Sequence, residues 1–195
     1  MAIIDGNEYT LSQLFDFIDE DVSNAVSYIY NFINHLTLDV SNDIFSDVIK
    51  IENYVVDSYP TEPLRTSLRG RKGIYVFVVE RDMDLTRDEV VSYSHRCTGS
   101  GFPHWVEISL RVGQHFYQGS ATGMSLLSRL NQHYSNRNDI SSMHLNSNER
   151  LFIKDNLSVY VFPVKRELQD NSFIIRMIEK ELHNQFPAIT GSNRV

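Results

Sequence analysis

Gly73-Ile-Tyr-Val-Phe-Val-Val79 and His115-Phe-Tyr-Gln-Gly119 are the stretches whose reading decides the fold. The first is a short, unbroken apolar run behind a glycine, which reads as a strand buried on both faces. The second follows Trp105 to Val112, where residues alternate at strand period, and then Gly113-Gln114, a tight turn. That order predicts a hairpin between 105–112 and 115–119.

Towards the C-terminus, Met124 to Tyr134 reads as a short helix with Leu126, Leu127 and Leu130 facing inward. Residues 135–150 are rich in Asn and Ser and read as loop. Leu157 to Val164 is a further strand, and Glu167 to Phe186 a last helix with Ile174, Ile178 and Leu182 as its apolar stripe. Between the two opening stretches, residues 81–103 are polar, with Thr98 to Pro103 a loop.

Towards the N-terminus the pattern is helical. Thr10 is a candidate N-cap for a first helix, Val22 to Leu38 makes a second, and Ile44 to Val56 a third. The third places Ile44, Val48, Ile51 and Val55 on one side, although its β-branched residues pull the other way. Pro60 and Pro63 punctuate the chain, and Arg65, Arg69, Arg71 and Lys72 follow. The expected fold is α+β: a small antiparallel sheet flanked by helices over 67–195, with an insertion at about 81–112. An acidic helical N-terminal extension, 1–66, precedes it.

Composition fits an ordinary folded domain of 195 residues, 42% hydrophobic and 11% aromatic. No apolar run is long enough to span a bilayer, and no basic region precedes an apolar one at the N-terminus, so a cytoplasmic setting is expected. A single cysteine, Cys97, excludes an internal disulfide and a cysteine metal cage. The net charge of −7 hides two halves of opposite sign. Residues 1–63 hold twelve acids and one base (−11), and 64–195 hold seventeen bases and thirteen acids (+4). Only the second half suits a polyanion; the first is expected to lie away from it, to pack over the basic face and restrain activity, to meet a protein partner, or simply to complete the core.

Several polar residues fall in a telling order. Gly73-Ile74-Tyr75 is followed by Tyr117-Gln118-Gly119, then by Arg129 and His133 one helical turn apart. Glu179-Lys-Glu-Leu182, Pro187 and Asn193 come after them. Over about 70–195 this resembles the GIY-YIG nuclease family, whose pattern is a second Tyr-x-Gly, Arg-x-x-x-His, Glu-x-x-Leu, then Pro and Asn. The chain departs from it in several respects. Thr122-Gly123 lengthens the turn before the arginine helix, Pro187 to Asn193 is stretched, and Glu181 competes with Glu179, whose spacing to Leu182 and Pro187 fits the pattern better. Gln118 stands where an apolar residue is usual, and the tyrosines are 42 positions apart (117 minus 75), the excess lying in 81–112.

The resemblance implies phosphodiester hydrolysis assisted by one divalent cation, Mg2+ with Mn2+ able to substitute, held by Glu179. It implies that Arg129 grips the scissile phosphate and that Tyr75 acts as general base if nearby cations lower its pKa. Tyr117 would orient water or phosphate, His133 would hydrogen-bond into the same site or assist proton transfer, and Asn193 would position the glutamate or a metal water. A guanidinium fork suits phosphate oxygens, and a mostly hydrated magnesium needs few protein ligands. One cation and one grip give one cut per site, so cutting a duplex requires a homodimer, two encounters or reorientation.

A stand-alone chain with an insertion resembles the restriction-type branch, so the expected partner is duplex DNA. Arg71, Lys72, Arg87, Arg96 and Arg137 are the candidate contacts, the insertion acting as base reader. The alternatives are an RNA-directed or structure-specific nuclease, and an inactive scaffold that binds nucleic acid or protein.

Overall fold

The computed structural model describes residues 2–4, 7–9, 11–36, 42–52, 62–86, 108–134, 152 and 154–189. They form a mixed α+β fold. In chain order the elements begin with a small hairpin, β1 (Ala2–Ile4) and β2 (Asn7–Tyr9), and the long helix α1 (Leu11–Ile33). Then come β3 (Ile49–Ile51), α2 (Glu62–Leu68), β4 (Gly73–Val79), β5 (Met83–Leu85), β6 (Ile108–Leu110) and β7 (His115–Ala121). The chain continues through α3 (Leu126–Tyr134), β8 (Leu157–Pro163), a 3-10 turn (Arg166–Leu168) and α4 (Ser172–Gln185).

Among the described residues the main sheet has the order β3-β8-β4-β7, antiparallel throughout. β4 lies at its centre, and all seven of its residues are buried, as are all seven of β8. Side chains alternate across the pleat. Tyr75, Phe77 and Val79 point into one core with Leu68, Leu126, Leu130 and Phe152. Ile74, Val76 and Val78 point into the other with Val26, Ile29, Ile178 and Leu182. The sheet is thus covered by α2 and α3 on one face and by α1 and α4 on the other. α4 starts at an Asn171 cap whose side chain accepts from the Ile174 amide.

The acidic part of the chain is built into this core. α1 is one helix of 23 residues rather than two, because Asp19-Glu20-Asp21 contains no breaker and Asp19 and Glu20 simply face solvent. It ends where His35 takes a positive φ of 55° and the Leu36 amide bonds back to the Asn31 carbonyl.

The expected third helix is corrected. Phe45 bridges Val164, and Ile49 to Ile51 pair with Val161 to Val159 as an edge strand. Val48, Ile49 and Ile51 suit a pleated surface, and the open edge of β8 supplies the partner. Residues 53–56 of that run lie outside the described residues.

The expected hairpin is corrected as well. β6 pairs with β5 in a separate ribbon, and β7 pairs with β4 instead. The tight turn is present, with the Gln114 amide bonded to the Arg111 carbonyl, but its Gly113 amide donates to the Val79 carbonyl and its Gln114 carbonyl accepts from the Val79 amide. The insertion therefore leaves and rejoins the sheet through β5 and β6. Trp105 and residues 87–107 lie outside the described residues. The last helix begins later than expected, at Ser172, and buries Ile175, Ile178 and Leu182, with Ile174 half-buried. Among the described residues no helix is long and apolar enough to cross a membrane.

Candidate active site

The site is built where β4 and β7 run side by side. Tyr75 pairs with Gly119 and Phe77 with Tyr117, so both tyrosines and the glycine share the α3 face. Gly119 is required there: a Cβ would lie 2.5 Å from the Tyr75 hydroxyl and 2.9 Å from Cζ. Gly73 answers a similar need two pairs away, since a Cβ would overlap the backbone of Phe162. A β-bulge at the Phe77/Val78 step gives β7 one extra residue. Phe116 and Tyr117 consequently both meet the α3-side core, although they are neighbours in the chain.

α3 lowers two residues onto this spot. His133 is completely buried, and its Nε2 lies 2.7 Å from the Tyr75 hydroxyl. Its ring meets that of Tyr117 edge-on at 5.2 Å and lies 5.4 Å from that of Tyr75. One turn earlier, Arg129 is half-buried, and its Nη1 donates to Gln132 Oε1 at 3.0 Å. Burial raises the Tyr75 pKa well above 10, and a negative charge at Tyr117 or Glu179 would raise it further. The charge of Arg129 and its hydrogen bond to the phenol act in the opposite direction. Burial outweighs them, so Tyr75 is a neutral phenol whose nearest proton acceptor is His133.

Glu179 lies on α4, on the other face of the sheet, beside β7, one of the two edge strands of the described sheet. Its Oε2 accepts the Ser120 hydroxyl at 2.5 Å. Two residues back on the same strand and face, buried Gln118 makes a second tie to the same helix: its Nε2 donates to the Phe186 carbonyl at 3.0 Å. That orientation leaves Gln118 Oε1 to accept from His115 Nδ1–H at 2.8 Å. The polar residue where an apolar one is usual is therefore a clamp between β7 and the end of α4. Burial lowers the His115 pKa, opposed by the bond to Gln118, and its Nε2 is buried without a partner.

Among the described residues no group of three or more His, Cys, Asp or Glu side chains could hold a metal ion. The protein's own donor here is one carboxylate, oriented by Ser120. That set does not suit an ion needing a protein cage. It fits magnesium or manganese, which complete their shells with water and substrate oxygens. Glu179 would hold such an ion, which when bound supplies charge neutralisation at the leaving oxygen.

The structure thus gathers Tyr75, Tyr117, Arg129 and His133 on the α3 face of the β4–β7 pair, with Glu179 held by Ser120 on the other face and its charge felt at Tyr75. Arg71 is engaged elsewhere: its Nη2 donates to Ser46 Oγ at 2.5 Å and to the Val164 carbonyl at 3.2 Å. Lys72 Nζ lies 3.9 Å from Asp170, and its charge is not among the causes that shift Tyr75. Asn193, Arg87, Arg96 and Arg137 lie outside the described residues. Ser120 and the Gln118–His115 clamp were missed from sequence. Gln118 did signal itself as a polar departure, whereas nothing marked Ser120. Comparison with protein-family models, with curated proteins and with solved structures finds no match, so the functional reading rests on these residues alone.

Proposed function

We propose that this chain is a metal-dependent endonuclease of the GIY-YIG type, cleaving phosphodiester bonds in duplex DNA as a restriction-type enzyme. The observation that carries the reading is the convergence of five residues from four separate elements. Tyr75, Tyr117, Arg129 and His133 meet on the α3 face, and Glu179 lies close enough for its charge to be felt at Tyr75. Ordinary packing does not call for a buried phenol–imidazole pair beside a guanidinium and a carboxylate.

In this reading Arg129 grips the scissile phosphate. Tyr117, half-buried, lies between the enclosed pair and solvent and orients the attacking water. The proton taken from that water passes through the Tyr75 hydroxyl to Nε2 of His133, because a free phenolate in so buried a place is disfavoured. Glu179, steadied by Ser120, holds the Mg2+ or Mn2+ ion.

A second reading, a scaffold that binds nucleic acid without cutting it, is favoured by one observation: Tyr75 and His133 are both fully enclosed. One experiment separates the two. Mixed plasmid and phage duplex DNA are incubated in magnesium with the intact protein and with Glu179→Ala. Discrete fragments, lost in the variant, support a sequence-specific endonuclease with the metal at Glu179. A smear or nicking lost in the variant keeps the nuclease and removes the restriction role. No cleavage of DNA or RNA by the intact protein overturns the enzyme reading in favour of the scaffold.

A further inference from the structure

α2 carries a feature that the candidate site does not use. Arg65 and Arg69 are four residues apart, and the Arg69 amide bonds to the Arg65 carbonyl at 2.9 Å, so the helical turn continues through 69. The two side chains therefore share one side of the turn. Both are exposed, while Leu68 between them is completely buried against the sheet. The residues that follow are tied to α3, since the Leu126 amide bonds to the Arg71 carbonyl at 2.7 Å. Leu64 and Leu68 share a core with Leu126 and Leu130, the residues flanking Arg129. The two arginines thus lie on the same face of the sheet as Tyr75, Tyr117, Arg129 and His133.

On the opposite face of the sheet, α1 is acidic. α1 presents exposed Asp19 and Glu20 there. Asp21 also lies on α1, and its pKa is raised by burial and then by Glu20 and Asp43, so negative charge is crowded on that side. Arg65 and Arg69 thus lie across the sheet from acidic α1, whereas the exposed Arg176 and Lys180 of α4 share the α1 side.

We propose that Arg65 and Arg69 form a backbone-binding strip, taking phosphates of the nucleic acid next to the one held by Arg129. The strip makes the α2–α3 face the side from which substrate docks. It rests on the nuclease reading for its substrate class, although binding and cutting can be measured apart. Exposed arginines that neutralise phosphates release counterions, and each contributes about 0.9 to the slope of log K against log salt on duplex DNA.

The test is fluorescence anisotropy with a labelled duplex, without divalent ion so that nothing is cut, over a series of salt concentrations. The intact protein is compared with Arg65→Ala/Arg69→Ala and with a control of equal charge loss, Arg166→Ala/Arg176→Ala, whose arginines are also exposed. The proposal expects the first pair to weaken binding about tenfold or more at 0.1 M salt and to lower the slope by about two. The control should stay near the intact protein, and the melting temperatures should be unchanged. Equal losses in both pairs would mean general charge attraction and overturn the strip, as would unchanged binding in the first pair. Binding that follows the expected pattern without cleavage in magnesium would sink the nuclease reading and leave the strip standing. Substituting duplex RNA for DNA in the same titration decides which backbone the strip prefers.

Discussion

The Tyr75 hydroxyl and Nε2 of His133 lie 2.7 Å apart, and neither side chain exposes any surface to solvent. The contact gives the imidazole nitrogen a partner inside the core and adds to the bond that the phenol receives from Arg129. Removing the hydroxyl in Tyr75→Phe takes this partner from the buried imidazole, at a cost of about 1–3 kcal/mol. In the proposed reaction it also removes the proton path, which should lower the cleavage rate by about 10²–10⁴-fold. Circular dichroism, urea melts and cleavage assays on the same sample check both parts. Intact activity in the folded variant would exclude the hydroxyl from the chemistry.

Gly119→Ala tests the fit of the phenol against β7. The added methyl would lie 2.5 Å from the Tyr75 hydroxyl, so the ring has to shift. The expected destabilisation is about 1–3 kcal/mol. In the Tyr75→Phe background the same change should cost less, because the oxygen it strikes is gone. Additive losses in that double-mutant cycle would show that the two residues do not press on each other.

Ser120→Ala frees one oxygen of Glu179 from its hydroxyl partner without removing the carboxylate. Partners that orient a metal ligand typically matter 10- to 100-fold, so the magnesium needed for half-maximal cleavage should rise by about that factor. A magnesium titration of cleavage checks this. An unchanged midpoint would separate Ser120 from metal binding.

Gln118→Leu restores the apolar residue usual at that place and removes both ties of the clamp. The Phe186 carbonyl and the His115 Nδ1–H each lose a partner, so stability should fall by about 1–3 kcal/mol despite the more apolar side chain. A gain in stability, read from chemical melts, would mean that the clamp contributes nothing.

Acid should weaken the fold through His115. Burial lowers its pKa in the folded chain. Below about pH 6.5 the unfolded chain therefore takes up a proton that the folded one refuses. Stability is full above that pH and declines as pH falls from there towards the depressed folded value. His183 is shifted in the same direction, by burial. Melting temperatures at pH 7.5 and 5.5 should differ more for the intact chain than for His115→Asn. Equal differences would remove His115 from the account.

The sequence was legible where local pattern and tertiary demand agree. β4 and β8 are short, continuous apolar runs, and both are strands buried on both faces. α3 and α4 carry helical stripes, and they pack as helices. Legibility failed where a partner distant in sequence decides. Ile44 to Ile51 can be drawn as an amphipathic helix, and only the free edge of β8, more than a hundred residues away, makes it a strand. Trp105 to Val112 looked like half of a hairpin because β7 follows so closely, but β4 had the stronger claim on β7. In the site, the order of Tyr75, Tyr117, Arg129, His133 and Glu179 could be read from the sequence. The role of Gln118 could not, since its partners His115 and Phe186 meet only after β7 and α4 pack.

The short strand β3 has a consequence for the whole chain. Every residue of β8 is buried, and β3 covers the Val159–Val161 stretch of its outer edge. Trimming the protein to its basic half would uncover that edge, together with the apolar surface that α1 covers. An uncovered edge on so apolar a strand is a template for aggregation. The acidic segment is therefore what closes this edge of the sheet.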